Sequence, residues 1–233
     1  MTISPQKFYD ILLESFGPQH WWPVDTKYHQ HHHSDPRFEI MVGAILTQNT
    51  AWTNVEKALH NLRSNKALTI HKMATINITS LKTMIQPSGF FNQKAYRLKL
   101  FSAYIEKSYD GDLHKFFSRE KTVIRRELLS LQGIGPETAD SILLYAGDHA
   151  FFVVDSYTKR ICQRLPFHVA SNSYDDIQAF FEKELQLTLQ QEKLVSTYKE
   201  FHALVVKLAK HHCWKKKPHC TRCPLTTLCK KLL

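Results

Sequence analysis

Apolar residues recur at helical spacing along nearly the whole chain, and no pair of alternating runs is joined by a hairpin signal. In FEIMVGAILTQ, the positions Phe38, Met41, Val42, Ile45 and Leu46 fall on one helical stripe. In SYDDIQAFFEKEL, Ile177, Phe180, Phe181 and Leu185 do the same, and Ser173 stands where that helix needs an N-cap. Further helices are expected near residues 5–16, 51–63, 92–108, 120–131, 137–147, 155–165 and 192–211. The pattern predicts an all-α protein with short loops. The polar stretch KYHQHHHSDPR reads as an exposed loop, because ligands as close in sequence as His29, His31, His32 and His33 rarely close a tetrahedral metal site alone.

Charge narrows the class of partner. Thirty-one Lys and Arg against 21 Asp and Glu give a formal charge of +10, which suits a polyanion, nucleic acid first. No apolar run approaches the roughly 18 residues of a membrane span. The N-terminal MTISPQKFYDILLESFG has neither a basic leader nor a cleavage site, so a soluble, cytoplasmic protein is expected.

Four of the five cysteines, Cys213, Cys220, Cys223 and Cys229, form C-x6-C-x2-C-x5-C. Without a secretory signal these thiols point to metal rather than disulfides. The six-residue first gap departs from paired C-x2-C zinc knuckles, and all-cysteine ligation also suits a four-iron cluster. Cys162, on the apolar face of a predicted helix, reads as a small core residue.

Residues 131–140 read LQGIGPETAD. Gly133 and Gly135 allow a tight turn, and Pro136 suits the first position of a helix. Backbone amides and a helix N-terminus there would make an anion site. In FFVVDSYTKR, a lone acid, Asp155, follows four apolar residues and stands where it could cap a helix beginning at Ser156. HWWPVD sets Trp21 and Trp22 before Pro23, and Trp52 lies four residues after Gln48.

These stretches together resemble the endonuclease III superfamily of DNA glycosylases. LQGIGPETAD is similar to its helix-hairpin-helix, FFVVDSYTKR to the loop with its catalytic aspartate, and the cysteine spacing to its iron-sulfur motif. AILTQNT and GFFNQKA extend the likeness over roughly residues 38–229. The resemblance implies two helical lobes with a cleft between them. A central barrel would span 38–147, with the hairpin near 120–147; residues 1–37 and 148–233 would form a lobe carrying Asp155 and a [4Fe-4S] cluster held by the four cysteines.

Glu137 divides the superfamily. Bifunctional members carry a lysine there, whose neutral amine forms a Schiff base with the sugar. A carboxylate cannot form an imine, so the resemblance implies a monofunctional enzyme that leaves an abasic site, with Lys159 and Lys121 poor substitutes on motif grounds. Trp21, Trp22, Pro23 and Trp52 resemble the aromatic pocket of the endonuclease III-like 3-methyladenine glycosylases, and Lys210 resembles a pocket lysine of that group. The chain departs from that group in keeping the cysteines and in having Leu204 where a lysine stands.

The target nucleotide must leave the duplex to be processed. Gln48 resembles the family's wedge glutamine, and Phe90 occupies the position of its second intercalating side chain. Gly133 and Gly135 in the hairpin and Lys215, Lys216 and Lys217 in WKKKPH are expected to meet phosphate. The expected partner is damaged double-stranded DNA, met by a monomer associated with a prokaryotic nucleoid. Three other activities compete: a mismatch glycosylase on G·T or G·U, an oxidised-pyrimidine glycosylase with lyase activity, and a non-catalytic damage or redox sensor.

Overall fold

The computed structural model describes residues 2–230, and among them every regular element is helical. In chain order these are α1 (Pro5–Phe16), α2 (Thr26–His32), α3 (Pro36–Leu46), α4 (Trp52–Ser64), α5 (Ile70–Thr75), α6 (Ile78–Ile85) and α7 (Phe91–Tyr109). Then come α8 (Leu113–Phe117), α9 (Lys121–Ser130), α10 (Pro136–Tyr145), α11 (Ser156–Arg164), α12 (Tyr174–Gln186) and α13 (Gln191–His211). Short 3₁₀ turns occupy Gln86–Ser88 and Cys220–Arg222.

The starts of these helices follow from local chemistry. Proline stands in the first turn of α1, α3 and α10, where its missing N–H costs nothing. Ser4, Asp35, Asn77, Asp112, Glu120 and Ser173 each accept a backbone N–H with the side chain, as a cap must.

The chain forms two compact units. One joins the N-terminal segment up to Trp21 with the chain from Asp148 onward; the other is Trp22–Gly147. The first has an aromatic core: Phe152 stacks on Phe181 at 4.5 Å between centroids, and Phe201 meets Phe8, Phe152 and Phe181 edge-on. Such pairs add about 0.5–1.5 kcal/mol each beyond burial. In the second unit α3 is buried along its length and packs on α7 and α10, with Phe38, Met41 and Ile45 almost fully enclosed.

The His-rich stretch, expected as an exposed loop, forms α2 instead. His29 is buried and bonded through Nδ1 to Ser34 Oγ at 2.7 Å and through Nε2 to Glu39 Oε2 at 2.7 Å, while Arg63 holds the other oxygen of Glu39. Asp25 caps the helix through Tyr28 N, and Tyr28 stacks on His32. The polar composition hid a helix whose inner face is made of hydrogen-bonding groups. Residues 22–37 accordingly lie in the Trp22–Gly147 unit. Helices α5, α6 and α8, of six, eight and five residues, are too short to display a full apolar period and carry no expectation from the sequence.

Candidate functional site

Helices α9 and α10 form the hairpin around LQGIGPETAD. Leu131 ends α9, Ile134 N donates to Leu131 O at 3.1 Å, and buried Ile134 pins the turn from beneath. Gly133 has φ +83°, a conformation that favours glycine, and a Cβ there would lie 2.1 Å from Arg97 Nε, so the Arg97 side chain would have to move. Asp140, fully buried, binds Arg125 through two bonds of 2.6 and 3.0 Å, tying the two helices together. Gly135 and Glu137 are exposed, with Glu137 in the first turn of α10, where a negative charge complements the helix dipole.

Gln48 is part of this hairpin assembly. Its amide donates to Gly133 O and to Thr138 Oγ1, each at 2.9 Å, and its carbonyl oxygen accepts from Arg97 Nη1 at 2.5 Å. The next residue, Asn49, has a left-handed backbone with φ 53°. Phe90 is also left-handed, φ 46°, and the residue is 63% exposed, an apolar side chain held in water on a strained backbone.

Trp22 and Trp52 come together in the same unit. Their rings meet edge to face at 5.3 Å, and Tyr145 meets Trp22 at 5.2 Å. The Trp22 indole lies against Gly43, where an added Cβ would stand 3.0 Å from Cζ2. Pro23 is exposed beside it. Trp21 and Lys210 fall in the other unit, Lys210 at the exposed end of α13, with its carbonyl accepting from Trp214 Nε1 at 2.7 Å.

Asp155 is 8% exposed and caps α11. One oxygen accepts from Thr158 N at 2.7 Å and Thr158 Oγ1 at 2.9 Å; the other lies 3.7 Å from His202 Nε2. Burial pushes its carboxyl up, but His202 and the two Thr158 bonds outweigh that, leaving it below the usual carboxylate range. Two turns along α11 from Asp155, burial, with the Asp155 charge adding, pushes the Cys162 thiol up to about 12, which keeps it a protonated, inert side chain.

The four C-terminal cysteines line one cavity with Arg164, His212, Pro218 and Thr226. Burial pushes the Cys223 thiol up, and Cys213, Cys229 and Cys220 push the same way, a mark of their mutual proximity. Arg164 donates to Cys213 Sγ at 3.2 Å and to the carbonyls of Trp214 and Lys215, while Arg160 donates to Cys213 O at 2.9 Å. Lys215, Lys216 and Lys217 are exposed on the loop these arginines hold. Among the described residues no three His, Cys, Asp or Glu side chains converge as ligands of one ion.

A family model described as the HhH-GPD superfamily of base excision DNA repair proteins matches residues 42–187, spanning the Gln48 turn, the hairpin and Asp155. The chain belongs to the HhH-GPD superfamily. A Methanocaldococcus jannaschii protein, named provisionally as a DNA repair glycosylase, is 44% identical over 96% of this chain and 94% of its own length. The structure of H. pylori 3-methyladenine DNA glycosylase bound to 1,N6-ethenoadenine is 29% identical, with TM-score 0.71 over 89% of this chain and 98% of that one. A trapped covalent complex of endonuclease III with DNA gives TM-score 0.75 over 98% and 97% at 22% identity, a likeness of fold alone. This HhH-GPD protein is a base-excision DNA glycosylase.

Several residues of this site have no counterpart among the sequence expectations. Tyr145 ends a helix as an ordinary core aromatic would, and His202 sits in a run of similar residues on α13, so neither carries a local signal. Lys94 did carry one. Lys94 stands on the apolar stripe of Ala95, Leu98 and Phe101, where a solvated lysine does not belong.

Proposed function

We propose that this glycosylase is monofunctional and releases alkylated purines of the 3-methyladenine type from double-stranded DNA, leaving an abasic site. The observation that carries the reading is the aromatic group of Trp22, Trp52 and Tyr145, with the Trp22 indole laid against Gly43. A purine alkylated at N3 or N7 is cationic, and indole faces favour it over a neutral base by about 1–2 kcal/mol. The same charge makes it a good leaving group, so no general acid is required. The likeness to a 3-methyladenine glycosylase crystallised with an alkylated base analogue supports the same substrate class.

Asp155 is the catalytic carboxylate in this reading. Base loss builds positive charge on the sugar, and a buried anion stabilises that charge or orients the attacking water. Thr158 and His202 hold the carboxyl ionised for that role. Glu137 in the hairpin cannot form an imine, which supports hydrolysis without strand cleavage. Lys94 has its pKa pulled down to about 8 by burial and by Arg97, but its Nζ is enclosed and bonded to three acceptors, so it is no nucleophile.

The four cysteines are assigned to a [4Fe-4S] cluster. A single zinc requires sulfurs about 2.3 Å from one point. Four thiols lining one shared cavity suit a group that is itself several atoms wide. With every ligand supplied by protein, the cluster would serve to fix the basic loop of Lys215, Lys216 and Lys217 against phosphate.

The test is release of free bases from methylated genomic DNA, by the wild type and by Asp155→Asn, resolved by chromatography. Methyladenine from the wild type alone is the expected result. Release from G·T or G·U duplexes with none from alkylated DNA would replace the substrate class. Covalent trapping of the wild type by borohydride would overturn the monofunctional assignment.

A further inference from the structure

Lys94 is 1% exposed, and its ammonium donates to Leu46 O at 2.8 Å, Thr50 Oγ1 at 2.6 Å and Ser88 O at 2.7 Å. An ammonium has three donors, and all three are used. The acceptors belong to two separate segments. Leu46 and Thr50 bracket Gln48, each two residues away, and Ser88 precedes Phe90 by two. Thr50 Oγ1 also donates to Ser88 O, so one buried knot joins both segments.

Both segments hold backbone that needs outside support. Asn49 and Phe90 are left-handed at φ 53° and 46°, and for the bulky Phe90 that conformation is strained. Strain of this kind persists only where surrounding contacts over-determine it. Helix packing does not require a charge at this position, since Ala95, Leu98 and Phe101 make the rest of the stripe and a methionine would serve it. A buried ammonium costs desolvation, and here it serves the carbonyls at the ends of α3 and of the 3₁₀ turn and a hydroxyl, which no apolar side chain could satisfy.

We propose that Lys94 is a positioning residue for lesion recognition, bracing the Gln48 turn and the Phe90 turn so that both side chains enter the duplex together. The proposal rests on the reading of Gln48 and Phe90 as the residues that enter DNA.

The experiment uses full-length protein and a duplex with 2-aminopurine beside an abasic-site analogue, where a rise in fluorescence reports unstacking without any chemistry. The wild type should raise the signal, and Phe90→Ala should lose most of the rise. Lys94→Met should lose as much, with its helix content and cooperative melting kept. Combined with Phe90→Ala it should add little, because the two act through the same turn. Thr50→Val removes one acceptor and should give an intermediate loss; it decides the matter if Lys94→Met does not fold. A wild-type signal from a folded Lys94→Met, or from Thr50→Val where Lys94→Met does not fold, overturns the brace while leaving the wedge residues standing. So do losses that multiply in the double variant. A wild-type signal from both Gln48→Ala and Phe90→Ala overturns the wedge reading, and the brace with it.

Discussion

His202 Nε2 stands 3.7 Å from Asp155 Oδ2, near enough for ion pairing and too far for a direct hydrogen bond. It acts on the oxygen that Thr158 leaves unengaged, so the two carboxylate oxygens have different partners. Asp155 caps α11, and His202 projects from α13, so the relationship between two helices sets the charge of the acid.

Burial raises the Asp155 carboxyl, and His202 and Thr158 more than offset it, so its folded-state pKa lies below the ordinary value of about 3.9. Base release should therefore persist as pH falls to about 4. Replacing His202 with leucine, or Thr158 with valine, leaves burial less opposed, and the acid limb of kcat/KM should move upward. The same depressed pKa stabilises the fold above about pH 4 and is lost as pH falls through the folded-state value. An acid limb unmoved in both variants would show that Asp155 is not the titrating group.

Capping and catalysis at Asp155 can be separated by two substitutions. Asparagine is as good a cap as aspartate, whereas alanine costs about 1 kcal/mol of stability. Asp155→Asn should melt close to the wild type yet lose base release by about two to three orders of magnitude, the usual scale for removing one electrostatic stabiliser. Asp155→Ala should lose activity to the same extent and melt a few degrees lower, by roughly 4 °C or less for a chain of this size. Full activity in the asparagine variant would reduce Asp155 to a cap.

Gly43 is predicted to matter for substrate choice rather than for folding. A Cβ there would stand 3.0 Å from the Trp22 ring, so the indole must yield by a few tenths of an ångström. Gly43→Ala should raise KM for alkylated DNA several-fold with little change in melting, and Trp52→Leu should do so more strongly by removing the edge contact at 5.3 Å. Competition assays with normal and methylated duplexes would read the difference. Equal loss on every substrate would indicate damage to the fold instead.

How far the chain could be read from its letters depended on what each residue's partners were. The long helices announced themselves because eleven or more residues display a full apolar stripe, as α3 and α12 do. Ser173 and Asp155 were legible as caps because a cap's partners lie two or three residues away. Helix α2 was not, since its buried face is a histidine satisfied by Ser34 and Glu39, and hydrogen-bond partners across a fold leave no periodic trace. The same holds for Arg97 over Gly133 and for His202 beside Asp155: each contact joins segments whose separation only the fold determines. The aromatic site was half legible, with Trp22 and Trp52 found by motif and Tyr145 supplied by packing.

Helix α11 ties the proposed acid to the cysteine loop, and that gives the last prediction. Its first turn is capped by Asp155, and its last carries Arg164, which reaches Cys213 Sγ and the carbonyls of Trp214 and Lys215. Cysteine replacements such as Cys220→Ser should lower bound iron and sulfide together and reduce the melting temperature, because metal bound only by the folded state adds its binding energy to folding. Arg164→Met keeps all four thiols but frees the loop that holds the three lysines. It should retain iron, weaken binding to undamaged duplex, and flatten the dependence of log affinity on log salt by about one for each phosphate that the loop no longer neutralises. Replacing Lys216 with alanine should lower that slope without touching iron content. A salt slope unchanged in both Arg164→Met and Lys216→Ala would remove this loop from the DNA surface, and zinc in place of iron and sulfide in the purified protein would replace the cluster with a single ion.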